Sequence, residues 1–288
     1  MLFRSFLVCL FLCQITFAQN KYTQFVNPFI GTGGHGHTYP GATLPHGMVQ
    51  LSPDTRLDGW DGCSGYHYSD TFIYGFSHTH LSGTGCSDYG DILLMPGSGA
   101  PSSNNKEYGS SFSHQNEKAS PGYYAVKLNK HNIQVELTAT ERVGIHHYKF
   151  SKKNDNYVLL DLKHRDEVLE SSFKIEDSVT VSGMRRSKAW AEDQVIYFVM
   201  KFSRPFSSTK IWNQDVIDLI SKQQEHQSKN LKAAFIFKNL PGNDLYVQVA
   251  ISPVSVEGAK RNLEKEAIGK AFAQLRKAAT DKWNKRSE

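Results

Sequence analysis

The chain has 288 residues, 39% of them hydrophobic and 21% charged, with a formal net charge of +5. That suits one large or two ordinary soluble domains with a substantial core. Residues 21–120 hold four basic against eight acidic side chains, whereas residues 121–288 hold 28 against 20. Positive charge is thus kept away from the aromatic-rich N-terminal third, which excludes nucleic acid as a partner, since phosphate contacts need cations beside the stacking rings.

Residues 1–18 read as a signal peptide. Arg4 supplies the basic start, Phe6 to Cys13 the apolar run and Thr16-Phe17-Ala18 the small-residue cleavage pattern. The run is too short to span a bilayer, and Leu12 before Cys13 is too bulky for a lipoprotein site. A secreted or periplasmic product with no membrane span is therefore expected. Residues 19–256 read as a large antiparallel β-sandwich. After a short opening strand over Lys21–Phe29, the glycine-rich stretch leaves only brief pieces at Met48–Leu51, Phe72–Ser77 and Asp91–Met95. Period-two alternation of Val, Ile, Tyr and Phe then predicts strands at Tyr123–Leu128, Ile133–Thr138, Val143–Phe150, Tyr157–Leu162, Phe173–Ser182, Val195–Phe202, Ala233–Phe237 and Leu245–Ser252. Many short strands with few helices between them make a mainly β, antiparallel fold. The polar segment Asn213–Asn230 reads as a short helix or an exposed insertion. From residue 257 to 288 the period changes, and Leu263, Ala267, Phe272, Leu275, Ala279 and Trp283 form one helical stripe. The stripe either packs on the back of the sandwich or belongs to a connector leading to a further domain; the abrupt Asn-Lys-Arg-Ser-Glu ending favours the connector.

The glycine-rich stretch carries the functional signal. Fifteen of the 22 glycines lie between Gly31 and Gly99, and Arg56 is the only Lys or Arg from Tyr22 to Asn105. Flexible backbone, flat rings and uncharged or anionic hydrogen-bonding groups suit a neutral polyhydroxylated ligand and suit phosphate poorly. Trp60, in Asp58-Gly-Trp-Asp61-Gly, is placed to stack on the C–H face of a pyranose while Asp58 and Asp61 accept its hydroxyl protons; the alternative is an indole folded back as a lid on the core. His35-Gly-His37 and His78-Thr-His80 have the i, i+2 spacing of one strand face. They could hold a divalent metal with Asp88 or Asp91, or simply hydrogen-bond loop carbonyls. The bland alternative is favoured, so no metal ligand is assigned. Substrate-binding candidates are Trp60, Asp58, Asp61 and His80. Gly31-Thr-Gly-Gly34 lacks the Lys and the helix of a phosphate loop, and no nucleophile elbow is present. Asp58, Asp61, Asp70, Asp88 and Asp91 are carboxylates of the type glycosidic cleavage needs, but none is singled out, so no catalytic residue is assigned. With the leader removed, Cys63 and Cys86 remain, and a bond between them is a possible disulfide that would contribute roughly 3 kcal/mol.

The segments NPFIGTGGHGHTYPGATLPHGMVQLSPDT, GWDGCSGYHYSD, GFSHTHLSGTGCSDYGD and VAISPVSVEGAKRNL, in this order, resemble the N-terminal domain of glycoside hydrolase family 92 from Phe25 to Trp283. The resemblance implies a calcium-dependent exo-α-mannosidase acting with inversion on terminal mannose of α-mannoside glycans, of the α-1,2 type. It implies a β-sandwich, a linker helix and an (α/α)6 barrel, with the acid and base carboxylates and the Ca2+ ligands all in the barrel. It also implies that Trp60 contacts the leaving sugar. This sequence stops where that barrel would begin, so the chain is expected to supply part of the substrate subsite and to lack activity alone. A stand-alone carbohydrate-binding module and a metallo-hydrolase built on the four histidines are the rival readings.

Overall fold

The computed structural model describes residues 21–152, 155–213, 216–218 and 225–286. The signal-peptide segment lies outside the described residues, as does part of the predicted insertion 213–230. In chain order the early strands are β1 (Ala42–Thr43), β2 (Gln50–Asp54), β3 (Phe72–Ile73), β4 (Gly75–Ser77) and β5 (Leu93–Ser98). A single turn α1 (Asn105–Tyr108) precedes β6 (Ser110–Ser111) and β7 (Glu117–Ser120). The regular run is β8 (Tyr123–Leu128), β9 (Ile133–Ala139), β10 (Val143–Lys149), β11 (Asn156–Asp161), β12 (Glu167–Ile175), β13 (Thr180–Lys188) and β14 (Gln194–Phe202). It ends with β15 (Ser208–Asn213), β16 (Val216–Asp218), β17 (Glu225–Gln227), β18 (Lys232–Phe237) and β19 (Asp244–Ser252), followed by helices α2 (Val256–Glu266) and α3 (Phe272–Arg286).

Two antiparallel sheets face each other, ordered β1-β2-β4-β5-β11-β18-β15-β16 and β17-β12-β13-β14-β19-β10-β9-β8-β7. Period two explains the packing. In β9, Ile133, Val135 and Leu137 point into the sandwich while Gln134 and Glu136 point out. The main core is the layer between the sheets, with Leu159, Phe173, Phe198, Phe202, Phe235 and Val247 at its centre.

On the far side of the second sheet, Val143, Ile145, Val199 and Ala250 pack against Ala259, Leu263, Ala267 and Leu275. The amphipathic stripe therefore does cover the back of the sandwich. It is two helices rather than one, because the chain turns at Gly269, whose φ of +77° favours glycine. Two other expectations are corrected. Lys21–Phe29 is a 3-10 turn over Tyr22–Phe25 followed by further turns, not a strand. The single strand predicted over Phe173–Ser182 is the hairpin of β12 and β13, its reversal at Glu176–Val179 held by Glu176 N–H and Asp177 N–H donating to Thr180 O. The described parts of 213–230 hold the strands Val216–Asp218 and Glu225–Gln227 and a turn at 229–230, with no helix among them.

Candidate functional site

Trp60 opens a 3-10 turn, Trp60–Gly62, entered through Gly59 at φ +80°. The turn lifts the indole out of the sandwich, and the residue is 57% exposed. Its edges are nevertheless fixed. The His37 ring meets it edge-on at 4.5 Å and the His35 ring at 5.4 Å. Gly85 lies so close that a Cβ there would be 2.3 Å from the indole Nε1. His35 Nδ1 is 2.9 Å from Asp61 Oδ1, and His37 Nε2 is 4.0 Å from it. The hydrogen bond to His35 is the main reason the Asp61 carboxyl sits below its usual range.

The loop that presents these histidines closes on itself. Gly36 N–H donates to Gly33 O, and a Cβ at Gly36 would strike Gly31 O. His67 holds the loop from beneath through Gly34 O at 2.9 Å, and Tyr68 N–H donates to Thr32 O at 2.8 Å. Arg165, far along the chain, clamps the Trp60 turn to the loop 81–88 by donating to Gly62 O, Cys63 O and Ser87 Oγ. Nothing in the sequence marks Arg165 for this role, since the residues it joins are some 80 to 100 positions away.

Of the four substrate-binding candidates, the structure brings Trp60 and Asp61 together. Asp58 borders a different cleft of about 750 Å3, lined also by Asp161, Lys163, His164, Arg165 and Asp166, which does not include Trp60. His80 is 3% exposed, with Nδ1 2.7 Å from Gln50 O and Nε2 3.3 Å from Asp54 Oδ1. It braces the loops from inside. The groups that do share the indole's surface are His35 and His37, which the sequence offered only as metal candidates.

The four histidines do not converge. His78 is fully buried and pairs with His146, Nε2 to Nε2 at 3.0 Å, while His80 faces Asp54. Among the described residues no group of three or more His, Cys, Asp or Glu is placed to hold a metal ion, so the side chains present do not fit a calcium cage. Cys63 and Cys86 are free thiols rather than the disulfide the sequence allowed. The Cys63 thiol instead donates to Thr84 O at 2.9 Å, which turns its sulfur into a tie between the two loops.

Four of the five acidic candidates are engaged by other groups of the chain. Asp61 is held by His35 and Asp70 by Arg56, at 2.6 Å. Asp88 accepts from Ala191 N–H, and buried Asp91 accepts from Arg185, Thr79 and Gln194. What remains is an exposed indole with a carboxylate and imidazole rim.

The family model for the glycosyl hydrolase family 92 N-terminal domain matches residues 25–252. A family GH92 α-mannosidase from Bacteroides thetaiotaomicron, solved in complex with mannoimidazole, superposes with a TM-score of 0.87 at 34% identity, over 92% of this chain and 37% of that one. A GH92 inverting mannosidase from the same organism superposes at 0.81 with 31% identity, over 92% and 36%. An uncharacterised secreted glycosidase of Arthroderma benhamiae is 35% identical over 141 residues, which are 46% of this chain and 18% of that protein. The chain thus spans little more than a third of the solved relatives it matches. Among the described residues no helix is long and apolar enough to cross a membrane.

Proposed function

The chain belongs to glycosyl hydrolase family 92 as its N-terminal domain, and from that membership we propose that it supplies part of the substrate site of a secreted exo-α-mannosidase. Trp60 stacks on the sugar that leaves, and Asp61, oriented by His35, accepts a hydroxyl proton from it. Hydrolysis proceeds with inversion at a terminal α-1,2-linked mannose, through an acid and a base carboxylate provided by an (α/α)6 domain. Calcium takes its ligands there too. Helices α2 and α3 form the linker to that domain. The observation that carries this reading is the exposed, edge-clamped indole of Trp60, borne on a sequence stretch almost without Lys or Arg.

A half-site of this kind binds sugar weakly, because most of the contacts that bury a ligand come from elsewhere. Titration of the chain with α-1,2-mannobiose, followed by the Trp60 indole N–H resonance, is expected to give millimolar affinity that Trp60→Ala abolishes. An unshifted Trp60 resonance at saturating sugar would discard the assignment. A micromolar affinity would favour the stand-alone binding module. Purified chain incubated with the same disaccharide is expected to release no mannose with or without calcium, and chelator-sensitive release would overturn that part.

A further inference from the structure

A second indole, Trp190, stands 62% exposed at the tip of the hairpin joining β13 and β14. Its setting is built. Ala189 N–H donates to Ala191 O across the tip, and Arg186 grips Asp193 through two nitrogens at the stem. Ala191 N–H donates at 2.8 Å to Asp88, a buried carboxylate on the same 81–89 loop whose Gly85 abuts Trp60. Gln194 Nε2 donates at 2.7 Å to buried Asp91. The hairpin is thereby fastened beside the Trp60 turn by groups that are otherwise costly to bury.

The same hairpin, through Ala191, Asp193 and Gln194, borders a cleft of about 740 Å3 that is lined also by His46, Gln50, Thr79 and Tyr89. Tyr89 holds a φ of +75°, a left-handed conformation that bulky residues rarely adopt unless their surroundings impose it. The cleft's chemistry sets it apart. Three other clefts of comparable size are each bordered by three Lys or Arg, whereas this one has none. Its polar lining is two amides, a hydroxyl, an imidazole, a phenol and the Arg186-paired carboxylate of Asp193, set beside apolar Met48, Val195, Ile196 and Pro253.

We infer that Trp190 and the cleft adjoining its hairpin form a second saccharide subsite, taking a distal neutral sugar of the glycan whose leaving residue contacts Trp60. The inference rests on the mannoside reading of Trp60, and one titration separates the two. Wild-type chain, Trp60→Ala, Trp190→Ala and Trp190→Phe are titrated with α-1,2-mannobiose and with a linear α-mannotetraose, following the indole N–H resonances. The tetraose is expected to bind wild type about fivefold more tightly than the disaccharide and to shift the Trp190 resonance. Trp190→Ala is expected to erase that preference while leaving the disaccharide affinity within about twofold, and Trp190→Phe to keep part of it. A wild-type chain that binds both ligands alike, or a Trp190→Ala chain that keeps the tetraose preference, overturns the inference. Should Trp60→Ala spare both ligands while Trp190→Ala weakens the tetraose, the Trp60 reading fails and the Trp190 subsite stands.

Discussion

Single residues here act mainly by fixing neighbours. Gly85 leaves no room for a β-carbon beside the Trp60 indole, so Gly85→Ala should push the ring out of its His35–His37 collar. A changed Trp60 indole resonance, and mannobiose affinity lowered towards that of Trp60→Ala, would register the displacement; an unmoved resonance would refute it. His78 shows the same economy inside the sandwich. Gly144 makes space for its ring, its Nδ1 donates to Ile92 O, and its Nε2 accepts from His146, whose Nδ1 accepts from Tyr148 OH. That chain of donors closes with both imidazoles neutral. Burial, the largest cause, holds His78 down to about 4 and holds His146 well below its usual value. The unfolded chain therefore takes up protons first as pH falls, so the contribution of neutral His78 is full above about 6.5 and is lost towards 4, by an amount on the order of 3 kcal/mol, and that of His146 falls in the same direction. Asp166, raised by burial to about 6, works with the opposite sign, its contribution being lost as pH rises through 4 to 6. The difference between wild type and His78→Asn isolates the histidine: denaturant unfolding at pH 7, 5.5 and 4 should show a shallower loss in the variant. A parallel pair of curves would rule the mechanism out.

At the level of elements, the two C-terminal helices are attached by caps and side-chain ties as much as by their apolar stripe. Ser255 Oγ accepts from Gly258 N–H at the start of α2, and Ser255→Ala is expected to cost about 1 kcal/mol. Glu266, at the end of α2, accepts from Thr140 OH, Arg142 N–H and Arg142 Nε, which ties the helix to the β9–β10 turn. In α3, Leu275 is buried against the outer sheet face and the Trp283 indole donates to Thr43 O at 2.7 Å. Leu275→Ala should cost about 2–4 kcal/mol. Chemical unfolding of both variants would measure these losses, and a Leu275→Ala chain as stable as wild type would mean that α3 is not docked. Sequence periodicity placed this stripe but not its break, because a single glycine between two helical runs is tolerated within a helix as readily as it ends one. The missed reversal between β12 and β13 has a similar origin: Glu176-Asp177-Ser178 is a polar turn without Gly or Pro to announce it.

For the whole molecule, the segment running from Tyr22 to Ile30 is unusually apolar at its surface, with Phe25 and Ile30 three-quarters exposed or more and Val26 half exposed. Light scattering is expected to show concentration-dependent self-association of this chain, reduced by Ile30→Ser; a monomer at all concentrations would contradict it. The strand alternation, the sugar-suited composition around Trp60 and the family motifs were all legible in the residues themselves, because each is a local pattern that survives without knowledge of neighbours. Which histidines border the indole, that Cys63 bonds a carbonyl and not Cys86, that Arg165 clamps two loops and that Trp190 stands exposed on a hairpin tied to the 81–89 loop were decided only by the tertiary structure. Those outcomes depend on strands distant in sequence meeting in one sheet or on one rim, and the side chains that meet there carry no mark of each other in the linear chain.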